Sequence, residues 1–386
     1  MESRKTKIVH VQLLPMLSGV QNVSLEELKR LPDTEYEKYI ICKESGPLSD
    51  EAKKNGINVL YCKSLVREIS PLKDFKAFME LVKIIKHYRF DIVHTHSAKP
   101  GILGRLSAKF CKVNNILHTV HGFPFDSTNN RFIRYIYILL ERLALYVTDT
   151  LICLHDADGY IAKTMLKCPA EKLAVIPNGV NLNKFSPVAD FEKHRVRKAY
   201  DIPEDAIVFI MVGRLWEQKN PQCFIDAAIS FLRSNECSNV QFHIVGDGEL
   251  REQLELSVLQ SGFDSKIVFW GWQNDVLPYL KAADVYVLPS KWEGMPLATL
   301  EAQAVGLPSI VSNIPGNLST VRVLIDGFVF DLNNTALLGG CFAKMLDSKV
   351  RAEFSKNVLD KIKNNHNIEH RVIKIQSIYQ SKSYGL

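Results

Sequence analysis

The chain lacks the marks of several protein classes. No run of about 18 uninterrupted apolar residues occurs, so no segment is written as a membrane-spanning helix. No Cys-x-x-Cys pair occurs either: the eight cysteines, at 42, 62, 111, 153, 168, 223, 237 and 341, are scattered without a His-rich companion spacing. That pattern argues against a zinc site and a disulfide framework, and suits a reducing cytoplasm. His366 and His370 have a metal-like i, i+4 spacing but no third ligand nearby, and read as a solvated helix face. There is no G-x-x-x-x-G-K-[ST] loop and no strand-coupled G-x-G-x-x-G, which speaks against a P-loop NTPase and a dinucleotide oxidoreductase. Gly246-Asp247-Gly248 is only a G-x-G. The start, MESRKTKIVHVQLLPML, sets basic residues before apolar ones as a secretion signal does. His10, Gln12 and Pro15 interrupt it, no small-x-small cleavage site follows, and a first β-strand is expected instead.

What is present is 386 residues, 46% hydrophobic and 23% charged, with average glycine and proline usage and no low-complexity stretch. That is enough for two cores, each of about 150–200 residues. Strand-like runs, each followed by a helix-length amphipathic segment, recur as KIVHVQLL, YEKYIICK, INVLYCK, DIVHTHS, NILHTVHG and TLICLH. After VIPNGVNLNKFSPV, rich in Asn, Pro and Gly, the alternation restarts with AIVFIMVG, VQFHIVGD, KIVFWGW, VYVLPS and LPSIVS. Strands alternating with helices predict an α/β fold of two parallel-sheet domains, 1–182 and 183–386, with the last helix free to cross back to the first.

The charge is uneven. The net charge is +6, and residues 1–180 hold 26 Lys+Arg against 19 Asp+Glu, leaving 22 against 23 for the rest. A basic half can meet nucleic acid, anionic lipid or a phosphorylated substrate. In PLKDFKAFMELVKIIKHYRF, Leu72, Phe75, Phe78, Val82 and Ile85 read as a helical core stripe, with Lys73, Lys76, Lys83 and Lys86 largely on the outer side. That outer face is either simply solvated or rests on anionic lipid.

Ligands of open parallel α/β sheets sit beyond the carboxyl ends of strands, which singles out the residues just after each run. Two domains facing across a cleft would bring those residues together. Three groups result. In Glu293-Gly294-Met295-Pro296-Leu297-Ala298-Thr299-Leu300-Glu301, two carboxylates lie eight residues apart. A helix starting near Met295 or Pro296 would leave Glu293 before its N-terminus, and its first N–H groups would face an anion or a sugar hydroxyl. The spacing fits two pairs of vicinal hydroxyls, and equally one capping Glu plus one surface Glu. In Gly213-Arg214-Leu-Trp-Glu-Gln-Lys219, two cations five residues apart can neutralise a diphosphate, or are a solvated loop pair. In DIVHTHSAKPG and LHTVHGFPF, His94 reads as a packed side chain, while His96, Lys99 and His121 lie at strand ends. His121 could donate to a sugar hydroxyl or be satisfied by local backbone.

VIPNGVNLNKF, GRLWEQKNP, the run from VGDGEL to FWGW, and AADVYVLPSKWEGMPLATLEAQAVGLPSIVS together resemble the retaining glycosyltransferases of family 4, which have the GT-B fold. DIVHTHSAKPGILGRLSAK and ILHTVHGFPF look like the bacterial branch that builds capsule and O-antigen repeat units. The resemblance covers nearly the whole chain. It implies an acceptor-binding first domain and a nucleotide-sugar-binding second one. Glu293 would contact donor-sugar hydroxyls, Glu301 the ribose, and Arg214 with Lys219 the diphosphate. Gly294, Met295, Pro296 and Leu297 would add backbone contacts. His121 matches a histidine near the reacting centre, and Gly19 the glycine loop after the first strand, although Ser18-Gly19-Val20 lacks the usual double glycine. His96 and Lys99 join His121 as acceptor-side candidates. GNLSTVRVLIDGF, after Pro315, departs from the family pattern and receives no role.

The implied activity is transfer, with retention, of a hexose or N-acetylhexosamine from a nucleoside diphosphate sugar, UDP by family usage, to a polyprenyl-diphosphate-linked saccharide. Fixed cations would replace the metal that other transferases use, no cofactor is expected, and front-side attack demands no protein nucleophile. The expected location is cytoplasmic, peripheral on the inner face of the cell membrane, in contact with anionic lipid. Nucleic acid is not expected, because aromatics are not interleaved with the basic residues and the second half is near neutral. The alternatives are a GT-B nucleotide-sugar epimerase, which needs catalytic carboxylates in the first domain, and a non-catalytic sugar-nucleotide-binding protein.

Overall fold

The apolar runs become strands, and the segments between them helices. The computed structural model describes residues 4–381 apart from 67, 69, 129, 235–238 and 335. The chain divides into two units, Met1–Gly179 with Ile368–Leu386, and Val180–Asn367.

The first unit runs β1 (Thr6–Val11), α1 (Gly19–Arg30), β2 (Tyr36–Cys42), α2 (Pro47–Lys54), β3 (Asn58–Tyr61), α3 (Pro71–Tyr88), β4 (Ile92–His96), α4 (Ala98–Phe110), β5 (Asn115–Thr119), α5 (Arg131–Tyr146), β6 (Thr150–Cys153), α6 (Asp156–Thr164) and β7 (Leu173–Val175). The second runs α7 (Asp190–Ala199), β8 (Ile207–Val212), α8 (Pro221–Ser234), β9 (Val240–Val245), α9 (Arg251–Ser261), β10 (Ile267–Gly271), α10 (Leu277–Ala282), β11 (Val285–Leu288), α11 (Leu297–Ala304), β12 (Ser309–Ser312), α12 (Pro315–Leu318), β13 (Gly327–Phe330), α13 (Ala336–Met345) and α14 (Ser348–Asn365). The final helix α15 (Ile368–Ser381) belongs to the first unit.

Both sheets are parallel, ordered β3-β2-β1-β4-β5-β6-β7 and β10-β9-β8-β11-β12-β13. In each, the strand order reverses at the unit's first strand, which makes the gaps beside β1 and β8 the ligand-binding positions of such a sheet. The edge strand β7, of three residues, is too short to have left a periodic signal in the sequence.

Side chains of the first sheet alternate between two cores. Ile8 packs with Leu25 and Leu28 of α1 and Val372 of α15, whereas Val9 and Val11 pack with Leu81 and Ile85 of α3 and Ala108 of α4. Each such aliphatic burial contributes about 1.5–3 kcal/mol. The expected α3 stripe needs correction. Ala77, Leu81, Val82 and Ile85 are its buried residues, while Leu72 and Phe75 are 87% and 67% exposed. At about 100° per residue, Leu72 lies half a turn round from Leu81, so it shares the outer face with Lys76 and Lys83.

Polar groups interrupt the α1/α15 core. The parallel register sets His10 beside His94, and His96 follows on the same face; all three are fully buried. Arg371 of α15 donates from Nε to Glu27 Oε1 at 2.7 Å and from Nη1 to the Ile176 and Pro177 carbonyls at 2.7 and 3.0 Å. Removing one partner of such a buried pair costs about 3–5 kcal/mol, because the other charge is stranded.

Burial, with the Arg371 charge adding to it, lowers His10 to about 3. His94, His96 and His118 are held well below their ordinary value, chiefly by burial. The unfolded chain takes up these protons near pH 6.5 while the folded chain does not. Each histidine therefore contributes stability that is complete above pH 6.5 and is lost as pH falls toward the folded value, at up to about 1.4 kcal/mol per pH unit. Urea midpoints measured at pH 7.5, 6 and 5 are predicted to fall steeply below 6.5; a flat profile would contradict neutral burial of this row.

Candidate active site

The donor-side candidates of the second unit gather where β8 and β11 run side by side, at the strand reversal. Buried β8 ends at Val212, and a loop carries Gly213 to Lys219 before α8 begins at Pro221. Buried β11 ends at Leu288, and a second loop carries Ser290 to Pro296 into α11. Lys219 Nζ meets Glu293 Oε1 at 2.6 Å, and Ser290 Oγ donates to the same oxygen at 2.7 Å. Both charged side chains are largely shielded, at 15% and 9% exposed. The loops are also joined through backbone: Lys291 N–H donates to the Gln218 carbonyl at 2.8 Å, and Gln218 Nε2 to the Trp292 carbonyl at 3.0 Å. Arg214 stacks its guanidinium 4.3 Å from the centroid of the Trp216 ring, which fixes the plane of its N–H fork.

Helix α11 begins at Leu297 with Pro296 as N-cap, one or two residues later than expected, because Pro296 sits at φ −70°, ψ 112° in the extended region. Its first turn has no acidic residue and no side-chain cap, so its leading N–H groups are open to an anion. Gly294, Met295 and Pro296 are buried and Leu297 half-buried. Glu301 is half-buried on α11. Burial, with the Glu293 carboxylate close by and Glu301 adding a weaker push, drives the Tyr286 hydroxyl of β11 far above its ordinary pKa.

Sequence reasoning missed what holds these groups. Ser312 Oγ donates to the Ser290 carbonyl at 2.5 Å, and Asn317 Nδ2 donates to Ser312 Oγ at 2.9 Å. A Cβ on Gly316 would lie 2.2 Å from the Gly294 carbonyl oxygen, so only glycine lets α12 support the Glu293 loop. The segment after Pro315, left without a role, is that loop's foundation. Gly246 does similar work: at φ +141° its missing Cβ would fall 1.9 Å from the Gly213 carbonyl oxygen, where the β9 loop backs the β8 loop. The G-x-G is a packing device.

In the first unit, Gly19 is exposed and opens α1, whose first turn is also without acidic residues. His96, expected at an accessible strand end, is fully buried; its Nδ1 lies 3.1 Å from His121 Nε2, and only His121 is partly exposed. Ser97, next in the chain, sits at φ 65°, ψ 160°, a region nearly reserved for glycine, and such strain gathers at functional loops. Lys99 is engaged with Asp74 Oδ1 at 2.5 Å and with the Glu68 carbonyl, fastening α4 to the start of α3. The chain also holds one Asp-x-Asp triplet, Asp156-Ala157-Asp158, the pattern with which other transferases hold a metal. Here it opens α6: the Asp158 amide donates to His155 Nδ1 at 3.2 Å, and its carboxylate lies 3.2 Å from His155 Nε2. That pair serves as a helix cap.

Comparison with known proteins agrees with this geometry. Residues 17–184 match the model for Glycosyltransferase Family 4, and residues 192–361 that for Glycosyl transferases group 1. The chain is 45% identical over 376 residues to the Escherichia coli UDP-Gal:alpha-D-GlcNAc-diphosphoundecaprenol alpha-1,3-galactosyltransferase, spanning 97% of both. It is 24% identical to the Campylobacter jejuni N,N'-diacetylbacillosaminyl-diphospho-undecaprenol alpha-1,3-N-acetylgalactosaminyltransferase, over 88% of this chain and 90% of that one. In fold it matches the crystal structure of Anabaena HepE in complex with UDP and glucose, with a TM-score of 0.81 at 17% identity over 97% and 100% of the two chains. The two reversal-point sheets, the motifs at their strand ends and the match along nearly the whole chain give one conclusion: this protein is a glycosyltransferase of family 4 with the GT-B fold.

Proposed function

We propose that the protein transfers a hexose from a UDP sugar, UDP-galactose first among candidates, to a saccharide carried on polyprenyl diphosphate, with retention of configuration. The 45% identical relative is named for that donor and a GlcNAc-diphosphoundecaprenol acceptor, and the Campylobacter jejuni relative is also named for a diphospho-undecaprenol acceptor. The observation that carries the reading is the 2.6 Å pair between Lys219 and Glu293, a cation and a carboxylate held together at the ends of neighbouring strands. A diphosphate sugar needs both, the cation at its phosphates and the carboxylate at its sugar hydroxyls.

As the sugar–phosphate bond breaks, negative charge grows on the leaving UDP. Arg214, through its fork of donors, and Lys219, as a point charge, stabilise that charge more than they stabilise the intact donor, which lowers the barrier. Glu293 orients the sugar, Glu301 accepts from the ribose hydroxyls, and the N–H groups from Gly294 to Leu297 face the donor. The family resemblance assigns the donor phosphates to Gly19 and the reacting centre to His121, and His96 lies behind His121 within the first unit. The departing phosphate takes the acceptor's proton, so no side chain is assigned as nucleophile, and the two cations do the work of a metal.

A lipid-linked acceptor implies contact with a membrane face. No helix among the described residues is long and apolar enough to cross one. Helix α3 instead presents exposed Leu72, Phe75 and Met79 among Lys76, Lys83 and Lys86, apolar groups for the acyl boundary and cations for anionic headgroups. Each such lysine near an anionic surface is worth about 1 kcal/mol.

Glu293→Gln and Lys219→Ala are each predicted to lower kcat at least about 100-fold, the scale of losing one transition-state electrostatic contact, with the far-UV spectrum unchanged. Wild-type turnover should persist in EDTA; loss there with recovery on Mg²⁺ would overturn the metal-free mechanism. Co-sedimentation should show binding to phosphatidylglycerol vesicles but not phosphatidylcholine, weakened at least tenfold by Phe75→Ser with Lys76→Glu; equal binding by the variant would remove α3 from the membrane face.

A further inference from the structure

The first unit contains a continuous chain of neutral hydrogen-bonding groups that ends at His121. Thr119 Oγ1 lies 2.8 Å from His94 Nε2, and His94 Nδ1 lies 2.7 Å from the Tyr379 hydroxyl. That hydroxyl is 3.0 Å from His10 Nε2, and His10 Nδ1 is 3.1 Å from His96 Nε2. His96 Nδ1 is in turn 3.1 Å from His121 Nε2. His10 Nδ1 has a second neighbour, Ser24 Oγ at 2.8 Å. Three strands, β1, β4 and β5, the loop after β5 and α15 form the chain, and α1 brings in Ser24.

A neutral imidazole carries one N–H and one lone pair, so the chain has a direction, and the carboxylate beside His94 decides it. Glu27 Oε2 is buried 4.0 Å from His94 Nδ1, and a carboxylate there favours an N–H facing it over a lone pair, so His94 carries its proton on Nδ1. His10 then carries its proton on Nδ1 too, one N–H shared between His96 Nε2 and Ser24 Oγ. Every other assignment then follows. His96 accepts at Nε2 and donates from Nδ1 to His121 Nε2. On the other side, the Tyr379 hydroxyl donates to His10 Nε2 and accepts from His94 Nδ1, and Thr119 donates to His94 Nε2.

We infer that this chain fixes His121 as the tautomer protonated on Nδ1, so that it meets substrate as a hydrogen-bond donor and not as a base. Glu27, His94, Tyr379, His10 and His96 are positioning residues that act on substrate only through His121. The inference deepens the role proposed for His121 and rests on that reading only for what the donated hydrogen bond touches. The groups around the chain keep it neutral: Arg371 is a cation on α15, Glu27 is committed to it, and His118 lies behind β5. Burial, with Arg371 next, lowers His121 to about 3. His10, Glu27, His94 and His96 also bring possible metal-ligand atoms within 4.8 Å of one another. However, each imidazole nitrogen of those three histidines already has a partner, and a metal ion there would lie beside the Arg371 guanidinium.

Two-bond ¹H–¹⁵N spectra of the ¹⁵N-histidine-labelled full chain would test this without any turnover measurement. The account predicts that His121 shows a pyrrole-like Nδ1 and a pyridine-like Nε2, unchanged from pH 7.5 to 5.5. Glu27→Gln, which keeps an acceptor for Arg371 but removes the carboxylate that sets the direction, should turn His121 into a mixture of tautomers while the far-UV spectrum stays wild-type. An Nε2-protonated His121 in the wild type, titration near pH 6.5, an unaltered tautomer in a folded Glu27→Gln, or displacement of these resonances by added Zn²⁺ would each overturn it. Turnover of His121→Ala is a separate matter: full activity there would remove His121 from the reaction and leave the tautomer result standing.

Discussion

The second unit's site depends on one contact, the ion pair that joins Lys219 on the loop after β8 to Glu293 on the loop after β11. Neither loop has helical or sheet hydrogen bonds to fix it. Two backbone-level ties through Gln218 bring the loops together, and the charge pair then sets where a cation and a carboxylate end up. On the proposed function, a diphosphate sugar entering there exchanges part of this contact for its own, and the site is already polarised along the direction in which charge moves when the glycosidic phosphate leaves, which is the preorganisation that lowers a barrier.

The first unit uses the same strand order for opposite chemistry. Its reversal-point strands β1 and β4 carry imidazoles in place of charges, and α1 and α15 close over them with the buried ion pair of Glu27 with Arg371. Burial strips the histidines of charge and leaves them as hydrogen-bond relays. On the proposed function the protein divides its work: charge is handled by Arg214, Lys219 and Glu293, and orientation by a neutral network ending at His121.

The fold and the outline of the site were legible in the sequence because both are local patterns. Apolar runs followed by amphipathic helices specify parallel sheets, and residues directly after a run fall at strand ends, which is how Arg214, Lys219, Glu293 and His121 stood out. What was not legible depends on tertiary approach. Ser290, Ser312, Gly316 and Asn317 matter only because α12 reaches the Glu293 loop, a contact between segments more than twenty residues apart. His96 looked accessible because its position is a strand end, yet the register with β1 seals it behind His10. On α3, Leu72 and Phe75 fitted a helical stripe, but the sheet meets the helix through Leu81 and Ile85, half a turn away from Leu72.

The central claim is that the second unit binds a uridine diphosphate through the Arg214, Lys219 and Glu293 cluster. Thermal shift with UDP, GDP, CDP, NAD and ATP, on the wild type and on Lys219→Ala, tests it most directly, because a ligand that binds only the folded chain raises its melting temperature by mass action. The account predicts a saturable rise with UDP above that of the other nucleotides in the wild type, largely lost in Lys219→Ala. No rise with any diphosphate nucleotide, or an equal rise in the variant, would contradict it.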